Sequence, residues 1–268
     1  MIRMPAVADR FYPGSPDRLQ AAVRAFLPEA AATGKQLALA VILPHAGYVY
    51  SGATAGQTIG RVRVPETVVL LGPNHHGCGS PIALSTDDWQ MPLGKVGINT
   101  EFAEALLRNA PDVTADREAH RMEHSLEVQL PFLQQLQEHL QIVPLVVSHI
   151  PFTLCQLVAA ALVKTIQEYG QPVLLLASTD MSHYESRQQA AHKDQQAIER
   201  ILHLDPQGLY ATVLDQRISM CGIMPTTIAL LVALGLGAAK AELVRYTDSG
   251  EVSGDVSQVV GYAGLIIS

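Results

Sequence analysis

Apolar residues in this chain gather into short unbroken runs rather than strict alternation. Leu39-Ala40-Val41-Ile42-Leu43, Val68-Val69-Leu70-Leu71 and Val173-Leu174-Leu175-Leu176-Ala177 contain no polar residue. Runs of this length predict strands buried on both faces, as in a sheet covered by helices. Residues 142–150, 241–247 and 259–267 read as further strands. Helices are expected over 16–27 with Ser15 as N-cap, over 51–62, and over 101–109 capped by Thr100. Others are expected over 124–139 with Pro131 as a kink, 152–169, 188–202 and 206–215, and Cys221 opens an apolar helix. Strands and helices alternate, with crossovers long enough for parallel pairing. The expected fold is α/β: a single three-layer α/β/α domain over residues 1–268 with a mostly parallel central sheet.

Each of the three apolar runs delivers a polar knot. They are Pro44-His45-Ala46-Gly47-Tyr48, Gly72-Pro73-Asn74-His75-His76-Gly77 and Ser178-Thr179-Asp180-Met181-Ser182-His183. Ligands of open α/β sheets bind outside the carboxyl ends of the strands. Three strands that bring histidine to that edge point to one shared site, and imidazole is the commonest protein metal ligand. His75 and His76 are adjacent, so in an extended loop one faces the site and the other turns away; spacing alone does not choose between them. Asp180 and His183 share a face if the segment turns, and Asp180 would ligate, orient an imidazole or cap the turn. Cys221 stands at a helix start, where the dipole favours thiolate, and is the thiol expected to oxidise first. His120, Glu123, His124 and Glu127 form a fourth cluster. It lacks the glutamate that a zinc-protease helix carries directly after its first histidine, because Arg121 stands there. Glu123, His124 and Glu127 would instead hold the site histidines from behind.

Composition narrows the class. Hydrophobic residues make up 48% of the chain and aromatics only 5%, so aliphatic packing must build the core. A formal charge of −7, without a run of Lys or Arg, argues against a nucleic-acid partner. No apolar signal region opens the chain, and no segment is long enough to span a membrane. Three scattered cysteines form no disulfide framework, which suits a reducing cytoplasm.

The ordered set of motifs resembles the Memo family, whose bacterial and archaeal members are called AmmeMemoRadiSam system protein B. The resemblance starts with Arg3-Met4-Pro5-Ala6-Val7-Ala8 and Phe11-Tyr12-Pro13. It runs through the histidine knots, Glu123-His124-Ser125-Leu126-Glu127, Leu130-Pro131, Ser178-Thr179-Asp180, His183 and Cys221-Gly222 to Val260-Gly261-Tyr262-Ala263. It implies a fold similar to class III extradiol ring-cleavage dioxygenases. It also implies metal ligands His45, His75 and Cys221, with Asp180 and His183 lining the same pocket. Thiolate in place of the dioxygenase carboxylate weighs against ring cleavage and favours iron, or copper, in another redox role, with zinc a weaker candidate. His76 or His183 would move protons and Asp180 would orient one of them. A small-molecule or peptide substrate is expected, and a radical-SAM protein and an AMMECR-type protein are the implied partners. Two alternatives stand beside this reading: a zinc-dependent hydrolase, and a non-catalytic protein that binds a peptide or partner in a modification system.

Overall fold

The computed structural model describes residues 1–28 and 34–268. The strands are β1 (Ile2–Arg3), β2 (Ala40–Leu43), β3 (Thr67–Pro73), β4 (Ile82–Leu84), β5 (Asp88–Met91), β6 (Gly94–Ile98), β7 (Thr114–Ala115), β8 (Gln141–Val147), β9 (Val173–Ser178), β10 (His183–Glu185), β11 (Ala241–Asp248) and β12 (Val259–Ile267). The helices are α1 (Pro16–Phe26), α2 (Tyr48–Ile59), α3 (Thr100–Asn109), α4 (Glu118–Arg121), α5 (Leu130–Leu136), α6 (Phe152–Tyr169), α7 (Arg187–Leu202), α8 (Pro206–Asp215), α9 (Ile223–Gly235) and α10 (Gly250–Ser253). The strands form one twelve-stranded sheet, mostly parallel at its centre and flanked by helices. Its central path runs β6-β8-β3-β9-β2-β12.

β9 lies between β3 and β2 and pairs in parallel with both. The three strands that precede the histidine and aspartate knots are therefore neighbours, and their carboxyl ends open onto one edge. Every residue of β2 and β3 is buried, as the unbroken apolar runs require. α9 is buried around most of its circumference and packs over β2, β3 and β9, which explains why its sequence shows so little amphipathic contrast.

Two expectations change. Residues 124–139 do not form one kinked helix. A loop leads into a 3-10 turn, Glu127–Gln129, and then into α5. Pro131 sits in the first turn of α5, where its missing N–H is not needed. Upstream, the Glu123 carboxylate takes the amides of His124 and Ser125, both at 2.9 Å, and peels that segment away from helix. The cap of α3 is also one residue earlier than expected: Asn99, not Thr100, accepts the Phe102 amide. The strand expected over 259–267 forms as β12, but it runs antiparallel to β2, a direction its apolar run does not specify.

Arg3 and Glu127 tie the N-terminal segment to the loop before α5. Both side chains are buried and their ion pair is 2.7 Å. Arg3 also donates to the carbonyls of His120 and Glu123 and lies 4.0 Å over the Trp89 ring. Glu127 further accepts the amides of Ala6 and Val7 and the Tyr12 hydroxyl.

His120 in this region makes the fold acid-sensitive. Its Nε2 donates to the Ala83 carbonyl, and its Nδ1 is buried without a partner. Burial, with Arg3 adding to it, lowers the imidazole from 6.5 to about 4 despite the Ala83 bond and the Asp116 and Glu123 charges. The unfolded chain then takes the proton first as pH falls below 6.5. Stability from this group is whole above that pH and is lost towards pH 4, by roughly 3 kcal/mol. Urea midpoints at pH 7 and 4.5 should differ less for His120→Gln, which keeps a donor and does not titrate. An unchanged pH dependence in that variant would reject the assignment.

Candidate metal site

β2 ends at Leu43, and two residues later His45 is 2% exposed above the edge of the sheet. Its amide donates to Asp180 Oδ1 at 2.8 Å. Its Nδ1 lies 2.7 Å from Ser178 Oγ, and its Nε2 lies 3.2 Å from Cys221 Sγ. Burial comes first, and His124 and His75 second, in holding this imidazole neutral, well below the usual histidine range.

His75 follows β3 and is held from the opposite side. Its amide donates to Glu123 Oε2 at 2.8 Å, and its Nδ1 lies 2.9 Å from Glu123 Oε1. Burial alone would raise Glu123. The His75 and His124 rings and the Ser125 amide outweigh burial and hold the carboxyl well below its usual range. An ionised carboxylate can only accept, so His75 Nδ1 donates to it and Nε2 is the ring nitrogen left for another partner. The close approach of this loop to β3 requires Gly72, because a Cβ there would sit 2.5 Å from Ser125 Oγ and 2.6 Å from a Leu126 methyl.

Cys221 precedes Gly222, the N-cap of α9. Its sulfur accepts the Asp180 amide at 3.2 Å. One ligand atom each from His45, His75 and Cys221 lies within 4.8 Å of the others, and so does one each from His75, Glu123 and His124. His124 stacks on His75, with centroids 4.5 Å apart, and meets His45 edge-on at 5.4 Å. Burial lowers its imidazole to about 4 against the Glu123 charge. It follows no buried strand, and its signal in sequence was the fourth cluster, where Glu123 and Glu127 stand beside it.

Asp180 is buried, and burial pushes its carboxyl up against the His45 amide and the His183 charge. Its Oδ2 stands 4.0 Å from His45 Nε2. His183 opens β10, where its Nδ1 donates to the Ser219 carbonyl at 2.8 Å and its amide to Ser219 Oγ at 2.7 Å. His76 lies apart. It is exposed, and its Nε2 donates to the Met122 carbonyl at 3.0 Å. Glu127 does not reach the histidines, since its oxygens serve Arg3 and the N-terminal segment.

The Cys221 thiol differs from its sequence expectation. It precedes the cap of α9 rather than occupying the first turn, and its backbone bond comes from Asp180. Burial, then the Asp180 carboxyl, pushes the thiol up rather than down. Burial also raises Cys155, to about 11, whereas Cys78 is exposed. Peroxide treatment of the metal-free protein should therefore modify Cys78 before Cys221, as read by peptide mass spectrometry. Earlier loss of Cys221 would show that the dipole outweighs burial.

The Memo-like protein family matches residues 3–266. MEMO1 family proteins of Methanopyrus kandleri and Archaeoglobus fulgidus are each 42% identical to this chain, over 99% of it and 99% of their own length. One from Aquifex aeolicus is 40% identical over 99% of this chain and 98% of its own. The crystal structure of an uncharacterized protein from Escherichia coli K12 superposes with a TM-score of 0.51 at 16% identity. That match covers 85% of this chain and 98% of the other and speaks to fold alone. No helix among the described residues is long and apolar enough to cross a membrane.

Proposed function

The chain belongs to the Memo-like protein family, and from that premise we propose that it is a metalloprotein holding one mononuclear iron ion, or copper in its place, at His45, His75 and Cys221. Its chemistry is oxidation–reduction in the cleft at the strand ends. The observation that carries this reading is the convergence of two imidazoles and a thiol to within 4.8 Å. The donors suit the metal. Burial disposes the His45 imidazole to be a neutral ligand, and a sulfur beside two nitrogens favours iron, copper or zinc over a hard cation. When bound, the metal supplies electron transfer and Lewis acidity.

The chain's own residues supply the rest. Glu123 fixes the His75 ring through Nδ1. Asp180 holds the His45 backbone and places a carboxylate oxygen beside the same ring. His183, pinned through Nδ1, keeps Nε2 free to take or give a proton. His124 is a further proton carrier in contact with both ligand rings. His76 exchanges protons with solvent at the outer edge of the loop. The metal-free thiol must lose its proton on metal binding, so loading should release protons and strengthen as pH rises.

Anaerobic purification, elemental analysis and spectroscopy of the bound metal test this reading. Stoichiometric iron or copper with sulfur-to-metal charge transfer is expected. Zinc alone, with ester or amide turnover, would replace redox chemistry with hydrolysis.

A further inference from the structure

The His45 ring is held unlike His75, by a hydroxyl rather than a carboxylate. Ser178, the last residue of β9, is fully buried. Three groups surround its Oγ: His45 Nδ1 at 2.7 Å, the Ser125 carbonyl at 2.7 Å and Gln129 Nε2 at 3.1 Å. A carbonyl can only accept, so the single Ser178 proton goes to Ser125. The Gln129 amide nitrogen can only donate. Its orientation is fixed by the Pro44 carbonyl, 2.9 Å from the same nitrogen. Reversing the amide would bring two oxygens together there. The Ser178 oxygen thus has no proton left for His45, and Nδ1 must donate to it.

We propose that Ser178 is a positioning residue that locks His45 as the Nδ1–H tautomer and so presents an unprotonated Nε2 towards Cys221. This deepens the proposed metal function and rests on it for its consequence, though the lock itself does not require a metal. In the other tautomer Nε2 carries a proton, and its lone pair cannot serve a ligand. The Ser125 and Gln129 partners of Ser178 follow closely on the Glu123 that fixes His75. One short stretch, residues 123–129, therefore sets the tautomer of both ligand histidines, directly for His75 and through Ser178 for His45.

The test begins with the metal-free wild-type protein. Long-range proton–nitrogen NMR correlations of 15N-labelled histidine report which nitrogen of His45 is protonated. The expected result is Nδ1–H with Nε2 bare, and finding Nε2–H would overturn the proposal without any mutation. Ser178→Ala removes the acceptor. It should allow the Nε2–H tautomer to appear and weaken binding of zinc, used as a redox-inert probe against a competing chelator, by roughly 10–100-fold. A folded Ser178→Ala protein with unchanged tautomer and unchanged zinc affinity would also overturn it. If wild-type protein shows the locked tautomer yet takes up no iron, copper or zinc, the metal function fails while the lock stands.

Discussion

His75→Ala is expected to yield a folded protein that no longer retains metal. The ring sits on a loop beyond β3, with its side chain 28% exposed, so the core does not depend on it. In the proposed ligand set its loss removes one of three donors, and affinity should fall by more than the roughly 10–100-fold typical of losing a group that merely orients a ligand. Glu123→Gln provides that milder comparison, since it leaves the imidazole in place but weakens its Nδ1 partner. Elemental analysis of both variants, with circular dichroism to confirm the fold, reads the difference. Stoichiometric metal in His75→Ala would remove this residue from the ligand set. Metal lost on His76→Ala and kept on His75→Ala would exchange their roles.

The largest stability effect is expected at Glu127, which does not touch the ligand atoms. Glu127→Ala would leave the Arg3 guanidinium buried without its carboxylate and strand the Ala6 and Val7 amides and the Tyr12 hydroxyl. Breaking a buried pair by removing one partner costs about 3–5 kcal/mol. For a chain of this length that lowers Tm by on the order of 10 °C. Glu127→Gln should fall between, because it keeps an acceptor but not the charge. Thermal melts of the metal-free variants decide it, and a shift below a few degrees would show that Arg3 finds other compensation.

Much of the parallel core was legible because strands buried on both faces leave unbroken aliphatic runs, and β2, β3 and β9 have them. The histidines at their ends were legible for the same reason: a polar knot after such a run has one place to go. β4 to β6 and β10 were not legible. They are short, and segments such as Gly94–Ile98 carry no strong apolar signal. The Glu123 loop was misread as helix because Leu126 and Leu130 keep helical spacing, while the side-chain bonds that break the helix have no periodicity. Ser178 looked like the last residue of a strand, and its three partners come from residues 45, 125 and 129, a convergence only the folded chain displays.

The unequal exposure of the two histidines bears on exchange kinetics. His45 is 2% exposed and clamped by Ser178 and Asp180, while the His75 ring stands at the solvent edge. If the proposed site holds its metal, an incoming ion should meet His75 first and be handed inward to the His45–Cys221 pair. Departure should retrace that path, so removal by a chelator would be limited by an escape step at His75 rather than by the depth of the site. A site built this way can bind tightly and still trade its ion with a carrier that approaches from the loop side.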